Sequence, residues 1–160
     1  MRQRATITAL FFLAFAATPA FASPPPNFSQ QVYLCNTHLQ ANVSIVFGQT
    51  ATSATVSTTS GPVKRNPWVW SSGLPANADY SVFVGASTRP NSDATWSIAS
   101  TQQDGFIGAA QPDISIGNSA FASPTCNIKG TVILSAACPD ASGMKRDYVV
   151  VERNWVGCGR

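Results

Sequence analysis

Few side chains in this chain of 160 residues could carry out chemistry. It has one histidine, His38, and seven carboxylates, six Asp and Glu152. His38 could act as the base for a Ser or Cys nucleophile, as in covalent hydrolases. No G-x-S-x-G elbow is present, however, and no two carboxylates are close enough in sequence to indicate a pair, although distant strands can assemble one. The sequence therefore favours a function other than catalysis, with a small hydrolase as the alternative.

Two tryptophans, Trp68 and Trp70, alternate in the segment NPWVW and would point to the same face of a strand. On a wet face they would form an apolar platform on which sugar rings or an aliphatic partner can stack. On a dry face they would fill the core, which we expect in a short chain with four tryptophans. Both are candidate binding residues if they are exposed.

The segment RPNSD predicts a hairpin loop that carries a guanidinium, an amide and a carboxylate, on Arg89, Asn91 and Asp93. Loops at the end of a rigid sandwich are common recognition sites, so these are further candidate binding residues. The same residue types are also typical of an ordinary solvated turn. Asp104 and Asp113 could offer oxygen ligands, but their segment lacks the alternating Asp spacing of a calcium loop. The sequence predicts neither a metal nor a cofactor.

The first 22 residues have the form of a bacterial secretory signal peptide. Arg2 and Arg4 precede an apolar run, and Ala20 and Ala22 form an A-x-A cleavage site before Ser23. The apolar run is shorter than the roughly 20 residues that a membrane span needs, and no second one follows. We expect the mature chain to be secreted, into the periplasm or the extracellular space, without a membrane span.

The mature chain has the size of one ordinary domain. Residues 23–29 form a Pro-rich leader, and residues 30–160 are expected to fold as a single domain. Of the ten Lys and Arg residues, two leave with the signal peptide, so eight remain against seven acidic residues, a net charge of about +1. So small a charge gives no electrostatic reason to expect nucleic acid or an anionic membrane as partner.

An even number of cysteines in a secreted chain predicts disulfides, here formed by Cys35, Cys126, Cys138 and Cys158. A zinc site is the alternative, but only Cys35 and His38 are close enough in sequence to act as a ligand pair. Four cysteines allow three pairings. If TVILSAA and RDYVVVERNW pair antiparallel around the turn between them, the register places Cys126 opposite Cys158. Cys35 and Cys138 would then form the second bridge.

Short β-type runs closed by turn residues recur from Gln30 onward. Apolar residues alternate with Ser and Thr in the period of two that gives a strand one dry and one wet face. No window has the apolar spacing of a helix. The pattern predicts an all-β fold, an antiparallel β-sandwich with disulfides. The predicted strands are QVYLC, NVSIVFG, SATVSTT, NPWVW, YSVFVGAST, ATWSIAST, ISIG, TVILSAA and DYVVVERNW, and the predicted turns include TSGP, QQDG and PDASG.

The segment GLPANADYSVFV resembles the tyrosine corner of fibronectin type III and related immunoglobulin-like domains. Leu74 precedes Tyr80 by six residues, and Val82 and Val84 follow on one side of a strand, as in the pattern L-x-P-x-x-x-Y-x-V-x-V. Pro75 stands one place earlier than in that pattern. The resemblance implies that the chain crosses between two sheets here and that the Tyr80 hydroxyl bonds the backbone upstream. It also implies an immunoglobulin-like sandwich, with additional C-terminal strands because the chain continues well beyond this sheet.

These features predict a secreted bacterial binding or interaction domain that recognises an envelope component, a glycan or a protein surface. A small secreted hydrolase and an inhibitor or toxin-like effector are the alternatives. An enzyme would bring His38 or several Asp residues together in a cleft. A sugar binder would expose Trp68 and Trp70 side by side, and an inhibitor would project one ordered loop.

Overall fold

The computed structural model describes residues 23–50, 53–69, 78–90, 95–108, 113–121 and 126–158, which form nine strands and no helix. The strands are β1 (Phe28–Leu34), β2 (Leu39–Gln49), β3 (Ser53–Ser60), β4 (Lys64–Arg65), β5 (Asp79–Pro90), β6 (Ser97–Phe106), β7 (Ile114–Phe121), β8 (Cys126–Asp140) and β9 (Gly143–Cys158). The predicted signal peptide lies outside these residues. Nowhere in the described ranges does the chain form a helix that could cross a membrane.

The strands build two antiparallel sheets. The first sheet has the order β1-β2-β3-β7, with the short β4 paired to β2. The second sheet has the order β6-β5-β8-β9, so the two C-terminal strands supply half of it. The predicted all-β antiparallel class with disulfides is confirmed, whereas membership of the immunoglobulin-like group stays a prediction.

The core lies between the two sheets because the central strands turn apolar residues inward. β-branched residues are frequent at these positions, in keeping with their preference for the pleated, buried surface of a sheet. In β2 the inward residues are Leu39, Ala41, Val43, Ile45 and Phe47, and those of β8 include Ile128, Val132, Leu134 and Ala136. The inward residues of the two sheets pack against one another, which makes the molecule a sandwich.

The two sheets approach each other closely at Gly130 of β8. A Cβ atom at this position would lie 2.5 Å from Ile45 Cγ2 and 2.8 Å from Thr58 Oγ1, so a larger residue needs the core to move. Thr58 is fully buried, and its hydroxyl donates a hydrogen bond of 3.1 Å to the carbonyl of Gly85 on β5. This buried bond ties the first sheet to the second.

Two disulfides are present, Cys35–Cys138 and Cys126–Cys158. They are the pairs that the predicted β8–β9 register favours, and Cys126 does lie opposite Cys158 in that register. The Cys35–Cys138 bridge joins the β1–β2 hairpin of the first sheet to β8 of the second, over a Cα–Cα distance of 5.1 Å. The Cys126–Cys158 bridge closes the other end of the β8–β9 pair.

Tyr80 is buried at the start of β5, with 3% of its surface exposed. Its ring lies over Gly105 of β6, where an added Cβ would lie 2.6 Å from the phenol oxygen. The hydroxyl accepts a hydrogen bond of 3.5 Å from Gln103 Nε2, and burial raises its pKa. Leu74 lies outside the described residues, so the tyrosine corner stays a prediction.

Two predictions of local structure are wrong. The segment NPWVW is not a strand, because residues 66–69 form a turn. The segment QQDG does not interrupt the sheet, because residues 102–105 lie inside β6 and pair with β5.

Candidate functional site

The candidate binding residues lie at opposite ends of the sandwich. The turn that carries Trp68 packs against the β1–β2 hairpin, at the end held by the Cys35–Cys138 bridge. Arg89 pairs with Asn127 at the other end of the second sheet, beside the Cys126–Cys158 bridge. Along β8 the two ends, at Cys138 and Asn127, lie roughly 35 Å apart at about 3.3 Å per residue. Trp68 and Arg89 therefore cannot contribute to one small site.

Trp68 is 91% exposed, so the expectation that it fills the core is wrong. The Asn66 side chain causes the difference, since its Oδ1 accepts the backbone N–H of Trp68 at 3.1 Å and closes a turn. The N–H of Val69 donates to the Asn66 carbonyl at 3.3 Å. The chain thus reverses at this point and directs the indole into solvent. Trp70 lies outside the described residues.

Asn66 also anchors this turn to the hairpin between β1 and β2. Its Nδ2 donates to the carbonyl of Thr37 at 3.0 Å, and its backbone N–H donates to the carbonyl of His38 at 2.9 Å. Asn66 itself is 7% exposed. The exposed indole is therefore carried by a turn whose Asn66 base is buried and hydrogen-bonded to the hairpin.

The β1–β2 hairpin is held in an uncommon conformation. Cys35, Asn36 and Thr37 have φ angles of 53°, 53° and 73°, a region that side chains other than glycine rarely adopt. The His38 N–H donates to the Cys35 carbonyl at 3.1 Å, and the Cys35 N–H donates to Asp147 Oδ2 at 2.7 Å. The disulfide and this carboxylate hold the loop in place.

A cleft of about 400 Å³ lies beside this hairpin. The Cys35–Cys138 bridge forms part of its wall, and its polar lining is Asn36, His38, Asp140, Lys145, Arg146 and Asp147. Hydrogen bonds from the backbone N–H and the hydroxyl of Ser142, together with the Lys145 charge, hold the pKa of Asp140 below its usual value. Two carboxylates and two cationic side chains thus line the same cleft.

His38 and Asp147 line this cleft but do not form a catalytic couple in the described structure. The two Asp147 oxygens accept the backbone N–H groups of Cys35 and Tyr148. His38 Nδ1 is buried without a hydrogen-bond partner. Among the described residues no group of three or more His, Cys, Asp and Glu side chains could hold a metal ion.

No protein-family model, curated protein or solved structure matches this chain.

At the Arg89 end of the sandwich, two cationic side chains stack on the indole of Trp96. The Arg89 guanidinium lies 4.7 Å from the centroid of the Trp96 ring, and Lys129 Nζ lies 5.2 Å from it. Lys129 also forms an ion pair of 3.4 Å with Glu152. Arg89 therefore packs on Trp96, and this cation–π contact explains the position of Arg89 without a ligand. Asn91 and Asp93 lie outside the described residues.

Sequence reasoning missed Asn66 and Asp147, which position the Trp68 turn and the hairpin. An Asn before a proline is a turn signal, so NPW could have indicated the turn. Asp147 carries no such local signal, because its partner Cys35 is 112 residues away in sequence. The contact between Trp96 and Arg89 could have been predicted from the sequence. A hairpin around RPNSD pairs Thr88 with Ser97 and so places Arg89 opposite Trp96.

Proposed function

We propose that this protein is a secreted binding domain whose recognition surface is the end of the sandwich that carries Trp68. The observation that carries the proposal is the 91% exposure of Trp68 on a turn anchored by Asn66. A large aromatic side chain in water gains free energy when a partner covers it, and tryptophans of this kind dominate many binding interfaces.

The rigidity of this end supports the proposal. The Cys35–Cys138 bridge, the Asp147 carboxylate and Asn66 each fix one of the segments around the cleft. A surface that is ordered before it meets its ligand loses less conformational entropy on binding. The two disulfides are also compatible with a periplasmic or extracellular location, where such bridges persist.

The same geometry offers little support for a hydrolase. Asp147 is occupied by backbone N–H groups, and His38 Nδ1 is buried and unpaired. A base of a Ser or Cys nucleophile needs an orienting partner and a nucleophile within hydrogen-bond reach. All four cysteines are in disulfides.

A second candidate is an inhibitor of another protein. Such an inhibitor needs one ordered loop that projects from a rigid scaffold. The turn at Trp68 projects in this way from the end of the sandwich that the Cys35–Cys138 bridge holds. In this case the indole would insert into a pocket of the target.

The test compares Trp68→Ala with Ile98→Ala in the mature protein. Ile98 is 65% exposed on the second sheet, near the other end, so it controls for the loss of an exposed apolar side chain. Binding to envelope fractions, glycans and secreted proteins is measured by pull-down and calorimetry. We expect Trp68→Ala to lose at least about tenfold in affinity and Ile98→Ala to bind as the parent does. Equal binding by both variants would refute the proposal.

A further inference from the structure

We propose that the cleft beside Trp68 binds an uncharged saccharide. This inference rests on the proposed function and names its ligand class. Three features of the cleft carry it: its charge balance, the bonding state of its lining and its position next to an exposed indole.

The formal charges in the cleft cancel. Asp140 and Asp147 contribute two negative charges, and Lys145 and Arg146 contribute two positive charges. An anionic ligand would meet the carboxylates and a cationic one would meet the ammonium and guanidinium groups, each with a desolvation cost. An uncharged polyol avoids both costs, because each hydroxyl can donate to a carboxylate and accept from a cation.

Three of the four charged groups, Arg146, Asp147 and Asp140, already form hydrogen bonds or ion pairs within the protein. Arg146 forms an ion pair with Asp79 and donates to Ser135 Oγ at 3.0 Å. Asp147 accepts two backbone N–H groups, as described above. Asp140 accepts the Ser142 N–H and hydroxyl through Oδ1. Asp140 and Lys145 are both exposed at the cleft, where a carboxylate and an ammonium group can meet a ligand.

The amide of Asn36 adds a group that can both donate and accept. It is exposed at the cleft, and its backbone is fixed by the hairpin. An acceptor, a donor and an amide in one cleft match adjacent hydroxyls on a sugar ring better than they match a single charged group.

The turn that carries Trp68 is bonded to the hairpin beside the cleft, because the Asn66 N–H donates to the carbonyl of His38, which lines the cleft. The faces of sugar rings carry C–H groups that pack on an indole while the hydroxyls at the ring edge remain free for hydrogen bonds. The cleft volume of about 400 Å³ suits a short segment of a glycan.

The experiment titrates the mature protein with neutral oligosaccharides (cello-, xylo-, malto- and chito-oligomers) and with uronic acid oligomers of the same lengths. Tryptophan fluorescence and calorimetry report binding. We expect at least one neutral series to bind, with an affinity that changes less than about twofold between low and high salt, because no charge is neutralised. Uronic acid oligomers should bind more weakly.

Lys145→Gln and Asp140→Asn should each weaken binding of the neutral oligomer by about five- to tenfold, since each removes a hydrogen-bonding charge. Lys64→Gln is the control, because Lys64 is exposed on β4 and does not line the cleft. Preference for the uronic acid oligomers, a steep loss of affinity with salt, or indifference to both cleft variants would overturn the inference.

The outcome also separates this inference from the proposed function. Binding of a protein that depends on Trp68, with no saccharide bound by the parent protein, overturns the saccharide inference and leaves the binding function standing. Saccharide binding that is weakened by Lys145→Gln and Asp140→Asn but unaffected by Trp68→Ala supports the cleft as the saccharide site and overturns the proposed role of Trp68.

Discussion

The carboxylate of Asp147 accepts the backbone N–H of Cys35 at 2.7 Å, although 112 residues separate the two in sequence. Asp147 lies on β9 at the edge of the second sheet, and Cys35 opens the hairpin of the first sheet. Its other oxygen accepts the N–H of Tyr148 at 2.9 Å. One side chain therefore connects the edge of one sheet to the strained loop of the other, beside the candidate cleft.

Asp147→Asn should destabilise the protein, because an amide replaces the charged acceptor of the Cys35 N–H. We expect a loss of about 1 to 2 kcal/mol in the free energy of unfolding, measured by urea denaturation. Asp113→Asn is the control, since Asp113 lies exposed just before β7. Equal stability of the two variants would show that the Asp147 bonds are not needed to hold the hairpin.

Thr37→Gly should raise stability. Thr37 has a φ of 73°, which is unfavourable for a β-branched residue and ordinary for glycine. The Asn66 bond to this residue uses the backbone carbonyl and survives the change. We expect a gain of up to about 1 kcal/mol in urea denaturation, whereas Thr55→Gly inside β3 should lose a similar amount. A loss for Thr37→Gly would contradict the strain argument.

Gly130→Ala should destabilise the core, because the added methyl would meet Ile45 Cγ2 at 2.5 Å and Thr58 Oγ1 at 2.8 Å. A cost of about 1 to 3 kcal/mol is expected for overpacking between the sheets. Gly117→Ala is the matched control, since a Cβ there would meet only the Val56 carbonyl oxygen at 3.8 Å. If thermal unfolding gives both variants the same midpoint, the sheets are not in close contact at Gly130.

Tyr80→Phe tests the resemblance to the tyrosine corner. If the hydroxyl bonds the upstream backbone, its loss should cost about 1 to 3 kcal/mol in the free energy of unfolding. Gln103→Ala, which removes the side chain that donates to this hydroxyl at 3.5 Å, should cost less. A loss for Tyr80→Phe too small to measure by urea denaturation would count against the corner.

Acid should destabilise the protein through Asp104 and Asp140. Hydrogen bonds from the side chains of Ser81 and Gln102 lower the pKa of Asp104, and the Ser142 bonds lower the pKa of Asp140. A carboxylate whose pKa is lower in the folded state than in the unfolded state stabilises the fold at pH values above the unfolded pKa of about 3.9. This stabilisation is lost as the pH falls through the folded pKa. The urea midpoint should therefore hold down to about pH 5 and fall as the pH drops from about 5 to below 3.

The Asp104→Asn and Asp140→Asn double variant should show a smaller fall in its urea midpoint over the same pH range. Both carboxylates are fully exposed, so the difference from the parent should be modest. If the double variant loses as much stability in acid as the parent, the acid sensitivity comes from other carboxylates.

The amino-acid sequence by itself determined the fold class and, through an assumed strand register, indicated the bridges. Alternation of apolar and polar residues has a period of two within each strand, so it is legible locally in segments such as TVILSAA. The turn between TVILSAA and RDYVVVERNW set the β8–β9 register, which in turn placed Cys126 opposite Cys158.

Only the tertiary structure decided which residues are exposed together. Trp68 fits the local pattern of a core residue, but Asn66 bonds to a hairpin about 30 residues earlier and turns the indole outward. Asp147 meets Cys35, and Trp68 lies at the opposite end from Arg89, through pairings between strands that are far apart in sequence. Such contacts depend on how the two sheets stack, and no local spacing of residues encodes that arrangement.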